Sequence, residues 1–265
     1  MSELIPYRLG KRHNRVIHYE YPLNERIRTL LRLEGLFQKA FYFIALDEPL
    51  PHQTALFAIF DIIEVAARAD LKSDLLQELE RQRQSLELLR HNRAIDTVKL
   101  EEVLDEINLC LKSVHSLAGR LDQTLKEHEW LANVKQRASI PGGVSGFDLP
   151  VFYHWLHAAA ELRRDNLTAW ITPMLPIYRG LSIVLKLLRE SGQPQATLAL
   201  KGCYQQMLAG RNVQLLKISL DPTVPYVPET SANKYAINVR FLCFTEMPPK
   251  SCTEDIAFDL GFCNL

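Results

Sequence analysis

The chain has 265 residues, enough for one large domain or two modest ones with ample core. Its 31 basic and 31 acidic side chains cancel, which argues against bulk attraction to nucleic acid or an anionic membrane and leaves local charged patches as the docking surfaces to look for. Five cysteines (110, 203, 243, 252, 263) without a C-x-x-C pair, no secretory pattern at the start, and no apolar run near the roughly 18 residues that span a bilayer predict reduced thiols, a cytoplasmic setting and no membrane.

Residues 1–15 carry Arg8, Lys11, Arg12 and Arg15 with little periodicity and read as a basic flexible tail. Val16 to Tyr21 alternates and predicts a short strand, which Pro22 ends while opening a helix. From there to about residue 137 the period is helical. Leu23, Ile27, Leu30, Phe37, Phe41 and Ile44 recur at three- and four-residue steps or their sums, and Leu56, Ile59, Phe60 and Ile63 follow after Pro49 and Pro51. Ser73 and Asp74 open a third helix carrying Leu75, Leu76, Leu79, Leu86 and Leu89. The stripe Leu100, Leu104, Ile107, Leu111, Val114 has coiled-coil spacing, but two heptads are too few for a free-standing coiled coil, so an internal bundle face is expected.

At Ser139–Pro150 the helical pattern stops on a proline and the glycines 142, 143 and 146. Helices are then expected over about 149–160 and 166–190, with Asn166 as the N-cap of the second. Beyond them the period becomes two. Thr197–Lys201, Val213–Leu220, Lys234–Phe244 and Asp255–Phe262 predict strands, and the proline-rich Asp221–Pro228 predicts an exposed loop. The fold class expected is α+β: an N-terminal helical bundle over 22–190 and a C-terminal antiparallel β-sheet domain over 195–265, with residues 16–21 available to complete the sheet.

The glycines do not make a nucleotide loop. Phosphate-binding fingerprints need a strand before the loop and, for the Walker type, a Lys-Ser or Lys-Thr after it. A turn in which glycine supplies positive φ and close approach is the simpler reading. His154, His157 and Glu161, at steps of three and four, are expected on one face of a single helix, a spacing that can hold a transition metal, so a metal-dependent enzyme is the alternative to a binding protein. Ser145, Asp148 and His154 are close in sequence but form no hydrolase elbow. In the strands, alternation sets Lys201, Lys217, Lys234 and Arg240 opposite the apolar positions, so one sheet face could display all four. Lysines that keep a sheet edge solvated would look the same. The functional reading is a docking face for an acidic or extended peptide. Nucleic acid is disfavoured, because Tyr235 and Phe241 are expected on the opposite side from the cations. For Arg68, an ion pair with Glu64 four residues earlier is a sufficient explanation.

Three blocks carry a family resemblance: Ile17-His18-Tyr19-Glu20-Tyr21-Pro22-Leu23-Asn24-Glu25-Arg26-Ile27-Arg28 and on to Glu34, then Gln136-Arg137-Ala138-Ser139-Ile140-Pro141-Gly142-Gly143, then Phe147-Asp148-Leu149-Pro150 with Trp155-Leu156. They resemble ZapD, the family of Z-ring-associated cell-division proteins of proteobacteria, from about Val16 to the C-terminus. The resemblance implies a cofactor-free, non-enzymatic homodimer in the cytoplasm at mid-cell. It implies a helical and a β domain that together bind the C-terminal tail of FtsZ through basic residues and cross-link its protofilaments. By position, Arg68, Lys234 and Arg240 match basic positions of that pocket. A further basic position falls on Glu129 here, leaving Lys126 and Lys135 as candidates for that side.

Overall fold

The computed structural model describes residues 16–67, 69–92, 95–117, 128–245 and 247–264. The expected tail 1–15, Arg68 and Lys126 lie outside the described residues. Two compact units divide the described chain, one from Thr29 to Val184 and one combining residues 16–28 with 185–264. The arrangement is α+β, with the helices in the first unit and the strands in the second.

The helical unit is built from α1 (Glu25–Ile44, whose first turn belongs to the strand unit), α2 (Pro49–Ala66), α3 (Ala69–Glu87), α4 (Thr97–His115), α5 (Glu129–Ala138), α6 (Pro150–Leu156), α7 (Ala160–Ile171) and most of α8 (Leu175–Ser191). Each exists because an apolar stripe finds a partner. Phe37 and Phe41 of α1 meet the Tyr178 ring of α8, with centroids 5.1 and 5.0 Å away. Leu100, Leu104, Ile107 and Val114 of α4 are buried, so the heptad-like stripe is internal, as expected. Fully burying such a side chain is worth about 1.5–3 kcal/mol. Asp96 caps α4 by accepting from the backbone N–H of Val98 and Lys99 at 3.1 and 3.3 Å. Trp130, Trp155 and Trp170, from α5, α6 and α7, form a ring cluster with centroids 5.6–6.1 Å apart.

Several boundaries differ from the pattern-based expectation. Pro22 closes a strand and does not open the helix; Asn24 does, its Oδ1 accepting from the Ile27 N–H at 2.8 Å. Asn166 is not a cap but lies inside α7, where it accepts from the Trp155 indole at 3.0 Å. Ala160–Ser191 is apolar enough by composition to cross a membrane, against the expectation of no such run, yet half of its most apolar window is buried in the protein and a 3₁₀ turn at Thr172–Met174 interrupts it. The glycine turn behaves as its composition requires. Gly142 has φ +71°, and a Cβ at Gly143 would lie 2.5 Å from the Arg137 carbonyl.

The strand unit holds two antiparallel sheets, not one. The first runs β1 (Ile17–Pro22), β4 (Leu215–Leu220), β8 (Ile256–Cys263), β2 (Gln195–Ala199); the N-terminal strand thus completes it by pairing Tyr19 with Ile218. The second runs β3 (Cys203–Met207), β6 (Ala236–Cys243), β5 (Tyr226–Ala232), with the short β7 (Lys250–Ser251) also on β6. Part of the expected loop is therefore strand. Pro228 sits in β5, an edge strand, where a missing N–H is tolerated. Leu216, Ile218, Ile256, Phe258 and Leu260 of the first sheet pack on Ile237, Val239 and Phe241 of the second, a face-to-face sandwich. On the other side of the first sheet, Arg189 in the last turns of α8 clasps Glu20 of β1 through Nε at 2.7 Å and Nη2 at 2.8 Å.

Candidate functional site

Two clefts on the strand unit bring charged side chains together, and Tyr21 of β1 lines both. The smaller, of about 320 Å³, is bordered by Arg28, Arg211 and Lys234, with Asn212 and Asn233 between them. Each cation is placed by local backbone chemistry. Arg28 stands one turn into α1 because Asn24 starts that helix. Its Nε donates to Glu25 at 3.0 Å, its Nη2 to the Pro22 carbonyl at 3.4 Å, and its guanidinium lies 5.9 Å from the centre of the Tyr21 ring. Arg211 follows a turn in which Ala209 and Gly210 both take positive φ, closed by its own N–H donating to the Leu208 carbonyl at 2.8 Å. Lys234 is at the tip of the β5–β6 turn. There the Asn233 side chain accepts from the N–H of Tyr235 and Ala236 at 2.8 and 2.9 Å, and the Lys234 ammonium sits 4.8 Å from the Tyr235 ring centre.

The larger cleft, of about 820 Å³, is bordered by Gln205, Glu229, Ser231, Asn238 and Arg240. Arg240 is on the outward side of β6, directly opposite Glu229 of β5 on one flank and Cys203 of β3 on the other. Its Nη2 donates to Glu229 Oε2 at 2.5 Å and its Nε to the same oxygen at 3.2 Å. That hydrogen bonding holds the guanidinium pKa above its usual value. Arginine forks match carboxylates in two-point geometry, whereas lysine acts as a mobile point charge. The clefts can therefore take an anionic or carboxylate-bearing extended ligand.

The structure separates the residues expected to share one face. Lys234 and Arg240 line neighbouring clefts. Lys217 is on β4 of the other sheet, opposite Glu20 in register and turned away from the sheet-to-sheet core. Lys201 is in the turn after β2 at φ 49°, its N–H donating to Asp255 at 2.8 Å. The β2 alternation is the reverse of the one expected: Leu198 and Leu200 are exposed and Ala199 is buried. Tyr235 is exposed beside Lys234 and only Phe241 is buried, so the aromatic argument against nucleic acid fails at Tyr235. Glu64 is 3.8 Å from Lys135 on α5, which makes that lysine an ion-pair partner within the helical unit.

The histidine cluster loses its premise. α6 ends at Leu156, His157 is its C-cap, and Glu161 belongs to the next helix. His157 Nδ1 is 2.8 Å from the Tyr153 carbonyl, and no group of metal-ligating side chains forms among the described residues. Ser145 instead hydrogen-bonds Asp148 at 2.8 Å, inside its own turn.

Arg28, Arg211 and Glu229 are not among the expected site residues. Arg28 was within reach, since an Asn-Glu start after a strand puts the fourth helical residue beside that strand's end. Arg211 follows a glycine between two strands, which is a turn signal in the sequence.

Comparison with known proteins gives a consistent result. The family model described as ZapD, Cell division protein, matches residues 31–240. The protein named Cell division protein ZapD in Aromatoleum aromaticum is 52% identical over 251 residues, covering 94% of this chain and 98% of that protein. Proteins of the same name in Azoarcus sp. and Dechloromonas aromatica are 50% and 48% identical, each covering 94% of this chain and 100% of the relative.

Proposed function

Because the chain belongs to the ZapD family of cell division proteins, we propose that it is a non-enzymatic division factor that binds the C-terminal tail of FtsZ and, as a homodimer, cross-links FtsZ protofilaments. It acts in the cytoplasm at mid-cell. The observation that carries the reading is the gathering of Arg28, Arg211 and Lys234 around one cleft, with Arg240 in the adjoining one, on a chain whose total charge is zero. A neutral protein that concentrates cations in a concave surface is built for a local anionic partner rather than for general attraction to polyanions. Any C-terminal tail ends in a carboxylate, the group an arginine fork takes best. Residues from β1, α1, and the turns after β3 and β5 border the smaller cleft, so an extended peptide lying there can be read at several points.

Co-sedimentation with assembled FtsZ, full-length and lacking its tail, tests the proposal. Pelleting with the full-length polymer and not with the tailless one is the expected result. Equal pelleting with both rejects tail docking, and pelleting with neither rejects the function. Arg211→Glu and Lys234→Glu should each weaken pelleting at least about tenfold, because reversal replaces attraction with repulsion at close range. Both side chains sit on exposed turns, so circular dichroism should be unchanged.

A further inference from the structure

Arg240 already holds a carboxylate. Glu229 stands directly across from it on β5, and both side chains line the larger cleft. The pair is 57% and 50% exposed, so solvent and ligand reach it from the same side. We propose that Glu229 is a built-in competitor for Arg240, a specificity-determining residue that a bound partner's carboxylate must displace. The proposal rests on the reading of these clefts as the acceptor of a C-terminal tail.

The chemistry of the cleft supports competition. Glu229 Oε2 takes Nε and Nη2 together, the two-donor edge that an incoming carboxylate would use. The other polar side chains that line the cleft, among them Gln205, Thr230, Ser231 and Asn238, are neutral. A neutral peptide can hydrogen-bond to them but cannot outbid a carboxylate for a guanidinium. An ion pair this exposed is weak and salt-screened, so a ligand carboxylate can replace it. Once displaced, Glu229 stays beside the bound anion as a like charge. The native pair therefore lowers affinity twice, by occupying the donors and by repelling the ligand. The result is a cleft that rejects neutral peptides and single weak anions. It opens to a partner that also engages Arg28, Arg211 or Lys234 nearby.

A positioning role makes the opposite prediction. If Glu229 serves to hold Arg240 ready, its removal weakens binding. The test measures the full-length chain by fluorescence anisotropy at fixed salt against two probes, a peptide of the FtsZ C-terminal tail and an oligo-glutamate peptide of equal length. Glu229→Gln should tighten binding of both probes about three- to tenfold. The same substitution in an Arg240→Gln background should tighten binding clearly less, because only the like-charge repulsion is left to remove; an equal gain in both backgrounds overturns competition for Arg240. Unchanged or weaker binding by the single variant overturns the competitor role. If the native chain ignores the tail peptide while Glu229→Gln still tightens on oligo-glutamate, the FtsZ reading falls and the competitor stands. If neither chain binds either probe, both fall.

Discussion

Arg163 shows what one side chain does for the helical unit. The residue is 4% exposed. Its guanidinium donates to the carbonyls of Leu156, Ala158 and Asp47, and through Nε to His52 Nδ1 at 2.9 Å. These groups tie the loop before α2 to the break between α6 and α7. Arg163→Met keeps the volume and removes every donor, leaving three carbonyls and an imidazole nitrogen short of partners. The expected cost is about 3 kcal/mol, or roughly 6–12 °C in Tm for a chain of this size. Calorimetry decides it: a drop below about 2 °C means that water replaces the guanidinium. His52 adds a pH dependence. Its Nδ1 accepts from Arg163, so the ring must be neutral, and burial first, then the Arg163 charge, lower its pKa. A lowered folded value means that its stabilising contribution is complete above the unfolded value of about 6.5 and is lost as pH falls through the folded one. The urea midpoint should therefore fall between about pH 7 and 5. His52→Gln, whose amide oxygen can accept the same hydrogen bond without titrating, should flatten that slope. An unchanged slope removes His52 as the cause. Neither residue stood out in the sequence. They are 111 positions apart, whereas His154, His157 and Glu161 drew notice by spacing alone and are divided by a helix end.

At the scale of elements, period-two alternation located β4, β6 and β8 because each buries alternate apolar side chains in the sandwich, and β1 because Tyr19 and Tyr21 pack half-buried against it. It passed over β3, whose sequence Cys-Tyr-Gln-Gln-Met carries no such contrast, and β5, where Pro228 argued for a loop. Alternation also says nothing about which sheet a strand joins, so the four cations set on one face prove to be on two sheets and two turns. Lys234 is the informative case. It is exposed in either reading, but a strand position and a turn tip present it differently. The tip is held by the two hydrogen bonds that the Asn233 side chain accepts and by the Leu208 N–H donating to the Tyr235 carbonyl at 2.7 Å. Asn233→Ala removes the first two. It should cost about 1 kcal/mol of stability and loosen the turn, so affinity for the FtsZ tail peptide should fall several-fold. Asn233→Asp, which keeps the acceptor, should preserve the turn and its stability. If Asn233→Ala binds the tail as well as the native chain, the turn does not position Lys234 for that ligand.

For the whole molecule, the proposed cross-linking follows from valence more than from affinity. Each protomer of the proposed homodimer carries one pair of clefts, so the dimer presents two tail sites, and a polymer displays many tails at high local concentration. Individually weak, salt-sensitive sites are then enough to hold two filaments together. The same arithmetic sets a limit. When dimers outnumber tails, each tail is occupied by a separate dimer, and bridges are replaced by singly attached molecules. Low-speed pelleting of FtsZ bundles should therefore rise with added protein, pass a maximum, and fall, while high-speed pelleting of bound protein continues to saturate. Raising salt from about 0.1 M to 1 M, which shortens the screening length from about 10 to 3 Å, should lower both curves. Added tail peptide should abolish bundling without depolymerising the filaments. A low-speed curve that saturates and never turns over would falsify two-site bridging, and would point to bundling by a change within each filament.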